Sequence, residues 1–124
     1  LKEETEVYVA DTMGEMGIWY SLVQIAFIGG SLVERGGHNP LEAAQLGVVS
    51  FHGPHIYNTS AKYRQLQTEG VSYEVNNAED IVERFNSLSF KELKDKAQKA
   101  KNISQVDMTA VDESVKVIKK AITI

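Results

Sequence analysis

The 124-residue sequence predicts an α/β fold, a parallel sheet of about four strands with helices packed on its faces. Three observations lead there. Segments rich in β-branched and aromatic residues alternate four times with segments of helical periodicity, a pattern that favours parallel strands joined by right-handed crossovers. One strand-like segment, residues 48–52, is continuously apolar at its start, as a strand covered on both faces is. The glycine-rich polar stretches directly follow the strand-like ones, where the ligand-binding edge of such a sheet lies.

Taken in order, residues 6–10 read as a first strand from Val7, Tyr8 and Val9. Thr12-Met13-Gly14-Glu15 then offers a Thr-x-x-Glu capping box to a helix carrying Trp19, Leu22 and Val23. Residues 25–28 form a short apolar second strand. A polar loop with four glycines follows, and Asn39 as cap with Pro40 at the first helical position opens a helix to about Leu46, ended by Gly47. Residues 48–52 are the third strand. Gly53-Pro54-His55 breaks the pattern, and Asn58 or Thr59 caps a helix to Glu69 that Gly70 stops. Residues 71–75 alternate as a fourth strand at a sheet edge. Three helices finish the chain: one aligns Ile81, Phe85 and Leu88, one is capped by Ser89 with Glu92 three residues on, and one aligns Val111, Val115, Ile118 and Ile122. The expectation is a single domain over 1–124, helical from about 78.

Composition narrows the function. A formal charge of -4 lacks the basic surface that general nucleic-acid binding needs. The absence of cysteine excludes disulfides and thiolate metal sites. The apolar run around residues 25–28 is far below membrane-spanning length and no signal-peptide pattern opens the chain, so the piece reads as soluble. Because it begins on Leu1, it is expected to be a fragment or a processed product. Neither Gly-x-Gly-x-x-Gly nor a Walker-type P-loop occurs, which disfavours a dinucleotide cofactor or a P-loop ATP site. Ser31 and Ser50 lack the elbow context of a hydrolase nucleophile.

What remains is the sheet edge. Parallel topology gathers residues 11–15, 29–39 and 53–58 on one rim. Glycines after a strand let a backbone approach a ligand, and a helix start presents N–H groups to an anion, so the rim reads as a phosphate or nucleotide site. Gly30 and Ser31 are the candidate phosphate contacts, through backbone N–H and hydroxyl, with His38 as a further donor; a tight strand-to-loop turn explains the same residues. Glu42 could accept from a ribose diol, or merely close a capping box with Asn39, and spacing alone favours the box. Glu15 carries the same ambiguity. His38, His52 and His55 lie in or beside the rim at no standard metal spacing, and no metal is expected. Met13, Met16, Trp19 and Tyr20 could line a base pocket, although such residues at helical spacing are more often core. The lysines from Lys91 to Lys101 are interrupted by Glu92 and Asp95 and read as a solvated helix face.

Asp11-Thr12-Met13-Gly14-Glu15, Gly29-Gly30-Ser31-Leu32-Val33, Gly36-Gly37-His38-Asn39-Pro40-Leu41-Glu42, Gly53-Pro54-His55 and Asn58, in this order and at these intervals, closely resemble the C-terminal, donor-binding half of 3-deoxy-D-manno-octulosonic acid (Kdo) transferases. The resemblance runs from about Val7 to Asn58. It implies a Rossmann-like domain, the C-terminal half of a GT-B glycosyltransferase truncated at its N-terminus. It further implies transfer of Kdo from CMP-Kdo to a lipid A precursor in lipopolysaccharide biosynthesis, at the cytoplasmic face of the inner membrane of Gram-negative bacteria. No cofactor is implied beyond the donor substrate CMP-Kdo. Carried over by position, Met13, Gly14, Glu15, Asn39, Pro40, Leu41 and Glu42 would bind the nucleotide, Glu42 on the ribose, with Gly30 and Ser31 near the phosphate. The general base and the acceptor-binding surface would belong to the N-terminal half. The chain is therefore expected to hold no catalytic residue, to transfer nothing alone, and to self-associate through an exposed sheet edge. Two other readings stand: a GT-B transferase using another nucleotide sugar, and a non-catalytic nucleotide-responsive or docking module.

Overall fold

The computed structural model describes residues 1–122, with backbone alone for 107–111. In chain order the elements are α1 (Met16–Leu22), β1 (Ile25–Ile28), α2 (Leu41–Gln45), β2 (Val49–His52), α3 (Ser60–Thr68), β3 (Ser72–Glu74), α4 (Ala78–Ser87) and α5 (Phe90–Ile122). The sheet runs β1-β2-β3 and both pairings are parallel. Ile28 lies opposite His52, and His52 opposite Glu74, so the carboxyl ends of all three strands finish together. β3 is an edge, as its alternating sequence predicts.

Side-chain alternation divides the sheet into two packed faces. Val49 and Phe51 turn to one side, where Val75 and Leu93 join them and Tyr73, Ile81 and Leu88 pack around. Tyr73 lies edge-on to Phe51, and the Arg84 guanidinium sits 4.6 Å from its ring centre. On the opposite side Ile28 packs with Ala43 and Val48, with Ala26 and Tyr20 beside them. Ser50 and Ser72 occupy that same side and satisfy each other, hydroxyl to hydroxyl, at 2.9 Å. A third cluster, Ala44, Leu66, Val71 and Ala100 with Ile103 against it, ties α2, α3 and α5 together. Small side chains let α2 and α5 come close: a Cβ on Gly47, which has φ +76°, would lie 2.8 Å from Lys101 Cε and 3.2 Å from Ala97 Cβ.

Four expectations are corrected. The described residues form three strands, not four: residues 6–10 have no sheet partner and are exposed. β-propensity reports fit to a pleated, half-buried surface, and with no neighbouring strand Val7 and Val9 have nothing to fit; Tyr8 instead stacks on Trp19 at 5.2 Å. The Thr12 capping box does not form. Glu15 is itself the N-cap of α1, without a side-chain cap bond, and its carboxylate accepts from the Thr12 hydroxyl. The last two expected helices are one, the 33-residue α5, because no Gly or Pro interrupts residues 90–122. Its start is as expected, with Ser89 Oγ accepting from Glu92 N–H at 3.1 Å. Along its second half the aligned Val115, Ile118 and Ile122 are exposed, and the side chain of Val111 lies outside the described residues. Finally, Met13 and Met16 belong to no core, Met13 being 98% exposed.

α4 has a reciprocal cap that the periodicity argument passed over. Asn77 accepts from Asp80 N–H and the Asp80 carboxylate accepts from Asn76 N–H, both at 2.8 Å. Lys91, Lys94, Lys99 and Lys101 are solvent-facing, while Lys96 is half-buried and donates to the Gly70 carbonyl at 2.8 Å.

Candidate functional site

Parallel strands deliver the loops after β1 and β2 to one edge, and there the two loops interlock. Ser31 is the pin. Its hydroxyl donates to the Ile28 carbonyl at 2.7 Å and accepts from Gly53 N–H at 2.8 Å, while its carbonyl accepts from His55 N–H at 2.9 Å. Only glycine fits at position 53, because a Cβ there would overlap the Ser31 carbonyl. Further out, Gly37 N–H donates to the Gly30 carbonyl at 2.9 Å and Asn58 N–H to the Gly36 carbonyl at 3.2 Å. Gly36 has φ +86°, and a Cβ on it would overlap the Asn58 amide, so both its conformation and its surroundings exclude a side chain.

The loop then turns into α2. Asn39 Oδ1 accepts from Leu41 N–H at 2.9 Å and Pro40 is fully buried, so the helix entry is fixed from both sides. Glu42 is exposed and makes no capping bond to Asn39 among the described residues. Its carboxylate faces α1 instead, where a Cβ on Gly17 would touch Glu42 Oε1 at 3.9 Å. The phenol of Tyr20 is held above its ordinary pKa, first by burial and then by the negative charge of Glu42. An open depression of about 400 Å³ lies beside this helix, lined by Asn39, Leu41, Glu42 and Gln45.

The expected residues thus fall into groups. Asn39, Leu41 and Glu42 share one depression, and Pro40, between the first two in sequence, is buried. α1 approaches that depression through Gly17, which sets the segment of Met13, Gly14 and Glu15 at the head of a helix adjoining it; Gly14 turns there with φ +84°. Gly30 lies under the His38 ring, 3.2 Å from where its Cβ would be. The Ser31 hydroxyl is fully buried and committed to Ile28 and Gly53, so it holds the loops together and is closed to a ligand.

Three participants were passed over. Gln45 is one turn from Glu42 on the same helix face, a spacing that could have flagged it. Tyr63 and Gln67 of α3 carry no motif, and only tertiary structure reveals their reach. His52, fully buried on β2, points its Nδ1 at the Gly53 carbonyl, 2.7 Å away. A carbonyl only accepts, so Nδ1 bears the proton and Nε2 accepts from Gln67 Nε2 at 3.1 Å. Burial lowers the pKa of His52, with the Gly53 hydrogen bond and the charge of Glu74 opposing that in part. Among the described residues no group of three His, Asp or Glu side chains is arranged to hold a metal ion.

A parallel sheet with flanking helices and glycine-rich loops clustered beyond its strand ends defines an α/β domain of Rossmann-like architecture. No family model matches the chain. The 3-deoxy-D-manno-octulosonic acid transferase of Haemophilus influenzae is 43% identical over 83 residues, covering 66% of this chain and 19% of that protein. The protein of the same name from Rickettsia felis is 35% identical over 123 residues, covering 93% of this chain and 25% of the relative. The crystal structure of the C-terminal CMP-Kdo binding domain of WaaA from Acinetobacter baumannii superposes with a TM-score of 0.68 at 34% identity, covering 77% of this chain and 53% of that one. Over most of its length the chain is thus similar in sequence to Kdo transferases, and in fold to a C-terminal CMP-Kdo binding domain. The chain spans a quarter or less of the length of these two curated relatives.

Proposed function

We propose that the chain is the donor-nucleotide-binding part of a glycosyltransferase that moves Kdo from CMP-Kdo to a lipid A precursor. The observation that carries this reading is the rim itself: two interlocked glycine-rich loops lead into the helix whose open depression is lined by Asn39, Leu41 and Glu42, and α1 approaches Glu42 through Gly17. The C-terminal CMP-Kdo binding domain of the Acinetobacter baumannii protein shares the fold at 34% identity. In this reading Glu42 accepts from the ribose hydroxyls, an acceptor-only group on an open helix face. Met13, Gly14, Glu15, Asn39, Pro40 and Leu41 frame the nucleotide, and Gly30 with His38 faces its phosphate.

Transfer would be an inverting displacement. A base in the N-terminal half deprotonates the acceptor hydroxyl as the CMP phosphate departs into the rim described above. This chain supplies the second contribution alone and transfers nothing by itself. The donor is its small-molecule partner and no cofactor is required. The lipid acceptor is met through the other half, at the cytoplasmic face of the inner membrane. Among the described residues no helix is long and apolar enough to cross a membrane.

Titration calorimetry with CMP, UMP and UDP tests the proposal. Preference for CMP supports it, preference for UDP points to another nucleotide sugar, and no binding by a folded sample points to a docking module. Glu42→Gln removes the charge while keeping the shape, and CMP affinity should drop by roughly 1 to 3 kcal/mol with the melting temperature nearly unchanged.

A further inference from the structure

α3 carries Tyr63 and Gln67 four residues apart, on one face and directed at the sheet. Tyr63 is fully buried, and its hydroxyl donates to the His38 carbonyl at 2.6 Å, one residue ahead of Asn39. Gln67 donates to His52 Nε2, and His52 in turn donates through Nδ1 to the Gly53 carbonyl. The His52 and Tyr63 rings are in contact, centroids 4.3 Å apart, so the two arms are one packed unit. One arm ends on the loop after β1 and the other on the loop after β2. Neither Tyr63 nor Gln67 lines the Glu42 depression.

We infer that α3 sets the spacing and orientation of the two rim loops, with Tyr63 and Gln67 as positioning residues that act on the nucleotide site without reaching the nucleotide. The relevance to nucleotide binding rests on the function proposed above; the bracing of the loops does not. Backbone geometry at Asn39 and Leu41 follows from where the His38 carbonyl is held, and that of His55 from where Gly53 is held.

The test uses the 124-residue chain, CMP as probe and amide resonances as the local readout. Tyr63→Phe keeps the ring against His52 and deletes only the hydroxyl. It should weaken CMP binding about 3- to 10-fold, the range one hydrogen bond spans, and displace the Leu41 and Glu42 amide resonances while leaving those of Val49 and Phe51 in place. Gln67→Met keeps the volume and removes the donor to His52; it should displace the Gly53 and His55 amides and weaken CMP comparably. Rim amides that stay in place in both variants would overturn the inference. So would displacement spread equally over rim and sheet with affinity falling only as the melting temperature does. If the parent chain ignores CMP, the proposed function fails while the amide displacements still decide the brace.

Discussion

Ser31 shows how one residue can satisfy a motif and still do something else. Adjacent to two glycines after a strand, it matches the chemistry of a phosphate contact, yet its hydroxyl is spent on Ile28 and Gly53 inside the protein. Ser31→Ala should therefore cost about 1 to 3 kcal/mol of folding stability by stranding the buried Gly53 N–H, read from the shift of a urea midpoint. Glu42 went the other way: the capping box that spacing favoured is not made, and the carboxylate stays open toward α1. His52 gives a pH dependence. With its pKa lowered by burial below the ordinary 6.5, the imidazole is neutral in folded and unfolded chains alike at higher pH. As pH falls through 6.5 the unfolded chain binds the proton first, so stability should decline from there down to the folded-state value. Urea unfolding at stepped pH, with the His52 ring resonance titrating below 6.5, checks the sign.

Among the elements, α5 is the one whose two halves behave differently. Its first half is bound by Leu93 to the sheet and by Ala100 to α2 and α3, where Ala100 is fully buried against Ala44, Leu66 and Val71. A larger side chain has no room there: Ala100→Leu should destabilise by about 1 to 3 kcal/mol through overpacking, seen as a lowered thermal midpoint. The side chains of 112–122 are exposed. Element existence was legible for β1, α2, β2, α3, β3 and α4 because apolar periodicity and glycine stops agreed with tertiary packing. The first strand failed for want of a partner, a condition no single segment encodes. The division of α5 failed because every residue across it permits a helix and nothing there stops one.

For the whole molecule, the open side is that of β1. Phe27 is 38% exposed on that strand, and Ile18, Leu22 and Val23 are exposed in and just after α1. An unpaired strand edge beside apolar side chains favours self-association. Sedimentation velocity should show the average mass rising with concentration, and a Lys in place of Phe27 should reverse that; a single species at monomer mass throughout would refute it.

By itself the sequence determined the alternation of strand and helix, hence a parallel sheet, hence that its glycine-rich loops would meet beyond the strand ends; local propensity and covalent order are enough for that. Only tertiary structure decided what each rim residue does. Whether Ser31 faces a ligand or Gly53, whether Glu42 caps or stays open, and that Tyr63 and Gln67 reach the rim at all depend on contacts between residues some twenty or more apart in the chain or on different elements. Such contacts are fixed by packing and by the need to satisfy buried polar groups, and neither is written in any local stretch of residues.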